Sequence, residues 1–206
     1  MFSGIVESVQ PIVSVQKGEG SLIRIGIRKP SEFNDLKIGD SLAADGVCLT
    51  VEAFNQDQIT FALAAETLRV LQWSPENPER LLQRQVNLER SLRFGDRIHG
   101  HLVTGHVDSL GKVLRSEGSS ENWALDIQVS ENVLPFLWKK GSITLNGVSL
   151  TVNELQNSVV SVGLIPETLK RTNLGSLKKN DFVNVEPDYM AKALQRMLQT
   201  QKELHL

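Results

Sequence analysis

The chain has 206 residues, room for one large domain or for two of about 100 residues each. Its formal net charge of −2 excludes a basic field for nucleic acid and a polybasic membrane patch. A single cysteine, Cys48, excludes an internal disulfide and fits a reducing, cytoplasmic compartment, and there is neither a signal-peptide pattern at the N-terminus nor an apolar run of the ~20 residues a membrane-spanning helix needs.

In chain order, "SLIRIGIR" (21–28) alternates apolar and polar residues and predicts a half-buried strand. "SEFNDL" (31–36), with Ser31 at a capping position, predicts a short helix. "ADGVCLTV" sets Asp45-Gly46 before a β-rich run, a turn feeding a strand. "QITFALA" (58–64) is a further strand, and the Pro-rich polar stretch 69–85 reads as a loop insertion. The second half gives strands at 123–129 and 159–165, a short helix at 130–137 and another turn-plus-strand in "LNGVSLTV". So many short strands predict an all-β chain with a small closed barrel in each half. The tail from Pro187 contains no Gly and places Met190, Ala193, Leu194, Met197, Leu198 and Leu204 at helical spacing. Such a narrow stripe packs either on its own barrel or, at near-a/d spacing in a terminal helix outside the repeat, on copies of itself; the second reading predicts an oligomer.

The halves are related by duplication. "GVCLTV" at 46–51 recurs as "GVSLTV" at 147–152, an offset of 101. The same offset pairs Ser41 with Ser142, "ETL" at 66–68 with "ETL" at 167–169, and "FSGIV" at 2–6 with "VTGHV" at 103–107. "VNLE" (86–89) matches "VNVE" (183–186) at an offset of 97, which places four extra residues in the 69–85 stretch. A period this long is a domain duplication rather than a solenoid.

The repeat singles out residues that carry chemistry. Cys48 alone reads as small apolar filler, but its counterpart Ser149 is also a nucleophile, and Thr50 and Thr151 are paired in the same way. Two similar hydroxyl-lined pockets follow. His99, His101 and His106 crowd "HGHLVTGH". Metal binding is disfavoured, since His101 and His106, five apart on a strand, face opposite ways with no Cys or carboxylate cluster beside them. His106 is the preferred acid or base, because the repeat places it opposite Ile5 beside a shared glycine: a ligand against Gly4 and Ile5 in one half would lie against Gly105 and His106 in the other. Glu66-Thr67 and Glu167-Thr168 are either paired general acids or the first turns of helices. Lys139, Lys140 and Asp188 read as solvated, unless the fold brings Asp188 to Ser149. No Walker loop, dinucleotide fingerprint, nucleophile elbow or zinc-type spacing is present.

Taken in order, "MFSGIVE", "GDSLAADGVCLTV", "AETL", "VNLERSL", "GHLVTGHVD", "NGVSLTV", "IPETLKRTNLG" and "VNVEPD" resemble the riboflavin synthase family, over the stretch from Met1 to the region of Met190. The resemblance implies two closed six-stranded β-barrels, residues 1–97 and 98–188, and a C-terminal α-helix, 189–206, that assembles a homotrimer. It implies the last step of riboflavin biosynthesis, conversion of two 6,7-dimethyl-8-ribityllumazine molecules into riboflavin and 5-amino-6-ribitylaminopyrimidinedione, with no cofactor and no metal. Each barrel would hold one lumazine, in a site between one chain's N-terminal barrel and a neighbour's C-terminal barrel. Association with lumazine synthase is not legible in the sequence.

Carried over by motif, N-terminal barrel contacts fall on Gly4, Ile5 and Val6, on Ser41, and on Cys48, Leu49 and Thr50. They continue through Ala62, Leu63, Ala64, Ala65, Glu66 and Thr67. C-terminal barrel contacts fall on Gly105, His106 and Val107, on Lys140, and on Ser149, Leu150 and Thr151. They continue through Leu164, Ile165, Pro166, Glu167, Thr168 and Leu169. Ser41, Cys48, His106, Ser149 and Asp188 match positions the family implicates in catalysis. This chain departs from the family in lacking "TNLG" after the first "ETL" (the second half keeps it at 172–175) and in having His99 where the family has Gly.

Two similar barrels suit a reaction between two copies of one molecule, since alignment alone supplies about 7–11 kcal/mol. The donor's ring methyl must lose a proton, and backbone N–H groups at 48–50 and 149–151 are the expected stabilisers of the developing ring charge. On this reading Cys48, His106 and Ser41 surround one ligand, while Ser149, paired with Asp188, serves the other. The alternative is a non-catalytic lumazine- or flavin-binding protein of the same fold. Retention of Cys48, Ser149, Thr50, Thr151 and His106 favours the enzyme.

Overall fold

A computed structural model describes residues 1–18, 22–71, 77–119 and 121–204. In the first half, strands β1 (Ser8–Lys17), β2 (Ile23–Arg28), β3 (Ser41–Ala44), β4 (Val47–Phe54), β5 (Gln58–Leu63) and β6 (Gln85–Arg90) close into a barrel in the order β1-β2-β5-β4-β3-β6. Alternation drives this closure. Ile23, Ile25 and Ile27 of β2 and Ile59, Phe61 and Leu63 of β5 turn inward and are buried, while the residues between them on β5 remain half-exposed.

The second half repeats the order with one difference. Strands β7 (Ser109–Gly118), β8 (Trp123–Gln128), β9 (Ser142–Leu145), β10 (Val148–Thr151), β11 (Glu154–Gln156), β12 (Val159–Leu164) and β13 (Phe182–Pro187) form a seven-stranded sheet, β10-β9-β13-β7-β8-β12-β11. Its edges β10 and β11 are consecutive pieces of what is one strand, β4, in the first half. The cylinder is therefore a curled sheet cut at Val152-Asn153, not the second closed six-stranded barrel expected. The first half shifts register at the equivalent place, between Val51 and Ala53, without losing the ladder. At the cut, Val152 N–H donates to Gly141 and Asn153 N–H to Ser161 (both 2.9 Å), so the backbone groups stay satisfied.

Both predicted short helices are corrected. Residues 31–36 form turns and bends, and 130–137 hold only a 3-10 turn at Leu134–Phe136. The helices form instead at the two "ETL" motifs, α1 (Ala65–Val70) and α2 (Pro166–Arg171). In the 69–85 stretch, α1 ends at Val70 and a 3-10 turn spans Pro78–Leu81; residues 72–76 lie outside the described residues.

The turns Asp45-Gly46 and Asn146-Gly147 both adopt positive φ, 47° and 78° in one, 45° and 80° in the other, the hairpin geometry their sequences predict. They meet at the centre of the molecule. A Cβ on Gly46 would lie 2.7 Å from the Gly147 nitrogen, and one on Gly147 2.7 Å from the Gly46 nitrogen. Around them Asn87 Nδ2 donates to the Asn146 carbonyl and Asn184 Nδ2 to the Asp45 carbonyl, each 2.8 Å, so the barrels are joined about a local two-fold by buried, satisfied polar groups. Asn173, from the "TNLG" kept only in the second half, donates to Asp45 Oδ1 at 2.8 Å.

Helix α3 (Tyr189–Leu204) is tied back by Lys192, which pairs with Asp108 at 2.8 Å. Met190, Leu194, Met197 and Leu198 are exposed on it. Among the described residues no helix is long and apolar enough to cross a membrane.

Candidate active site

Two hairpins carry the repeated reactive positions. In β3–β4, Ser41 lies opposite Thr50 and Ala43 opposite Cys48. In β9–β10, Ser142 lies opposite Thr151 and Thr144 opposite Ser149. Period-two alternation turns Leu49 and Leu150 into the cores and leaves Cys48, Thr50, Ser149 and Thr151 on the other face. Leu63, Leu164 and Val6 are likewise buried, so of the expected contact residues these five offer a ligand only backbone. Ala62, Thr67, Thr168 and Leu169 are half-buried; Ala64, Ala65, Ile165, Pro166 and Lys140 are exposed.

Two backbone arms cross between the halves. The Ser149 N–H donates to the Gly4 carbonyl, and the Cys48 N–H to the Gly105 carbonyl, both at 2.8 Å. Gly4 and Gly105 have φ of +75° and +81°, and a Cβ on either would stand 2.6 Å from the Cβ of Ser149 or Cys48. Val6 belongs to the C-terminal core and Val107 packs on the N-terminal core. The expected barrel assignment is therefore reversed: Gly4-Ile5-Val6 accompanies Ser149, and Gly105-His106-Val107 accompanies Cys48. The arms cross because Phe2 and Val103 pair antiparallel, each N–H donating to the other's carbonyl at 2.8 and 3.0 Å. The bonds to the Gly105 and Gly4 carbonyls occupy the Cys48 and Ser149 N–H groups, which corrects the expected use of these two as donors to a ligand.

Each arm is clasped by a buried glutamate. Glu89 accepts from Ser3 N–H (2.7 Å), Ser3 Oγ (2.9 Å) and Gly4 N–H (3.1 Å). Glu186 accepts from Thr104 N–H (2.7 Å), Thr104 Oγ1 (2.7 Å) and Gly105 N–H (3.1 Å). Burial pushes Glu89 up to about 7, with the Ser3, Gly4 and Ile5 donors opposing in part. Burial raises Glu186 as well, against the Thr104 and Gly105 donors and the Lys192 charge.

The two reactive positions have unlike neighbours. His101 Nδ1 is 2.8 Å from Ser149 Oγ, and its Nε2 is 3.1 Å from Thr144 Oγ1. Both ring nitrogens thus meet hydroxyls, which can donate or accept, and a neutral imidazole fits. Burial lowers the His101 pKa, and the charge of Asp188 opposes that shift. Asp188 also accepts from Met190 N–H (2.9 Å) at the start of α3. The fold thus brings Asp188 into the field of the imidazole that holds Ser149. Cys48, in contrast, packs with Phe2, Ala43 and Val103, and Ala43 stands where Thr144 stands in the other half.

His106, the acid or base preferred from the repeat, is exposed, and its N–H donates to Thr104 Oγ1 at 3.3 Å. The "HLVTGHV" segment is no strand but an irregular stretch with one bridging residue, Val103, and a bend at Gly105. Glu66 and Glu167 are exposed and pair with Arg69 and Arg171 of their own helices, so they act as first-turn charges rather than free acids. Ser41 and Ile5 open onto a cleft of about 690 Å³, whose wall also carries Arg90, Arg97 and His99 but neither Cys48 nor Ser149. Thr144, Glu89 and Glu186 were not singled out in the sequence, and His101 was named in the histidine cluster without a catalytic role. The repeated Glu closing "VNLE" and "VNVE" was the available signal for the two clasps; nothing local marks Thr144.

These features define a duplicated, ligand-cradling barrel protein. A family model described as lumazine binding domain matches residues 3–91 and again 104–188, and the chain belongs to that family. The riboflavin synthase of Actinobacillus pleuropneumoniae is 35% identical over 198 residues, covering 96% of this chain and 90% of the relative. That of Bacillus subtilis (strain 168) is 34% identical over 203 residues, covering 98% and 92%. Among solved structures, LumP complexed with riboflavin matches with a TM-score of 0.78 and 25% identity, covering 91% of this chain and 99% of that one. LumP complexed with 6,7-dimethyl-8-(1'-D-ribityl) lumazine matches with a TM-score of 0.78 and 22% identity, with the same coverage.

Proposed function

We propose that the chain is a riboflavin synthase, transferring a four-carbon unit between two 6,7-dimethyl-8-ribityllumazine molecules to give riboflavin and the ribitylaminopyrimidinedione. The observation that carries this reading is the pair of near-identical hairpins in one chain, with His101 on the Ser149 hydroxyl of the second and Phe2, Ala43 and Val103 around the Cys48 thiol of the first. Identical cradles suit identical substrates; unequal neighbours suit a donor and an acceptor. His101 moves a proton at Ser149 Oγ, with Asp188 stabilising the imidazolium and Thr144 holding the ring. Cys48 and Ser41, with His106 on the arm that crosses to Cys48, face the second lumazine.

The exposed stripe on α3 supports assembly into a homotrimer, in which one chain's N-terminal barrel faces a neighbour's C-terminal barrel. Sedimentation should give three chains per particle, and Leu194→Glu with Met197→Glu should release monomers; a monomeric parent would contradict the assembly. The working domain limits are 1–97, 98–188 and 189–206, and the compartment is the cytoplasm. The activity test is direct. Purified protein is mixed with dimethylribityllumazine and riboflavin absorbance is followed, with one riboflavin expected per two lumazines consumed. Stable binding with no riboflavin formed would favour the non-catalytic reading, for which the likeness to LumP is the supporting observation.

A further inference from the structure

We propose that Glu89 and Glu186 are positioning residues that act crosswise, each shaping the ligand site of the opposite barrel. The inference rests on the proposed two-site reading, and its test does not use activity. Glu89 sits on β6 of the N-terminal barrel, yet the turn it clasps, Ser3-Gly4, delivers its carbonyl to Ser149 of the C-terminal barrel. Glu186 sits on β13 of the second barrel and clasps Thr104-Gly105, which delivers its carbonyl to Cys48 of the first. Both carboxylates are buried, at 5% and 2% exposure, and both make the same set of three bonds, backbone N–H, hydroxyl and next backbone N–H. A buried acid with all its partners on one short turn fixes the path of that turn. Each turn must approach within contact of the reactive residue, as the 2.6 Å clearance for a Cβ at Gly4 and Gly105 shows. Holding the barrel together would not require such partners, since the strands are already laddered.

Cys48 is the one cysteine of the chain and its N–H is bonded to the Gly105 turn, so its thiol reads that turn directly and the Ser3-Gly4 turn only through Phe2. The test is the rate at which a chromogenic aromatic disulfide labels the Cys48 thiol in the parent, Glu186→Gln and Glu89→Gln proteins. Glutamine keeps one acceptor but sets an NH2 donor against a backbone N–H. Loosening the Gly105 turn in Glu186→Gln should speed labelling about tenfold, the factor that one weakened hydrogen bond of a charged group represents. Glu89→Gln, whose turn lies on Ser149, should label like the parent. Equal acceleration in both, or in Glu89→Gln alone, would mean general loosening or own-barrel action and would overturn the proposal, as would no change in Glu186→Gln. If Glu186→Gln does not fold, Thr104→Val removes one bond of the same clasp and should speed labelling about threefold, against no change for Ser3→Ala. Failure of riboflavin formation alongside this labelling pattern would sink the proposed reaction and leave the crosswise clasp standing.

Discussion

The two barrels share a strand order, a turn chemistry and a clasp, and differ at two paired positions on one face. In the C-terminal barrel the cross-strand pair is Thr144 and Ser149, bridged by His101. In the N-terminal barrel it is Ala43 and Cys48, walled by Phe2 and Val103. Duplication thus preserves the hairpins and arms while the chemistry diverges at the 43/144 and 48/149 pairs and at His101. The lesson is that symmetry and asymmetry are held by different parts: backbone arms and buried glutamates keep the sites alike, and three side chains make them unlike.

The largest effect is expected for His101→Gln, which keeps a hydrogen-bonding side chain but no titratable base; kcat should fall about 10²–10³-fold with KM little changed. Steady-state rates across pH check this, and a parent-like rate would remove the inequality between the barrels. Next is Gly105→Ala, whose methyl meets Cys48 Cβ at a positive φ. Denaturant unfolding should show a loss of about 2–4 kcal/mol from strain and overpacking, with Gly4→Ala losing a similar amount against Ser149.

Smaller is a pH effect. Glu89 is raised from the ordinary 4.5 to about 7 by burial, so the folded chain holds its proton more tightly than the unfolded chain. Its contribution is full below about pH 4.5 and is lost as pH rises through about 7. The stability difference between parent and Glu89→Gln should therefore move against the parent by about 2–3 kcal/mol from pH 4 to pH 8. Urea unfolding at both pH values measures it, and an unchanged difference would contradict the burial argument. The smallest effect is Cys48→Ser, with turnover expected to fall about threefold to tenfold because the thiol lies against the apolar walls of Phe2, Ala43 and Val103. Turnover equal to the parent would leave the thiol out of the chemistry.

Much of this was legible in the sequence, for physical reasons. Period-two alternation located β2, β5, β8 and β12 to within a residue or two, since half-buried strands must alternate. The "DG" and "NG" turns followed from the positive φ their hairpins require. The offset of 101 marks Cys48 and Ser149 as equivalent. The crossing of the arms was not legible. A repeat says which residues are equivalent but not which copy packs against which, and here Gly4 packs on the other half. His101 was passed over for His106 because its partner Ser149 lies 48 residues away, and no local pattern carries that distance. The cut at Val152-Asn153 was equally hidden, since the same sequence length serves a bulge or a break.

On the proposed reading both barrels cradle the same molecule, and the reaction runs through the Ser149 hydroxyl on the C-terminal side. Ser149→Ala tests it most directly, with bound lumazine and riboflavin formation measured on one sample. Two lumazines bound per chain, with riboflavin formed about 100-fold more slowly, is the expected result. Two bound lumazines with the parent's rate of riboflavin formation would contradict it.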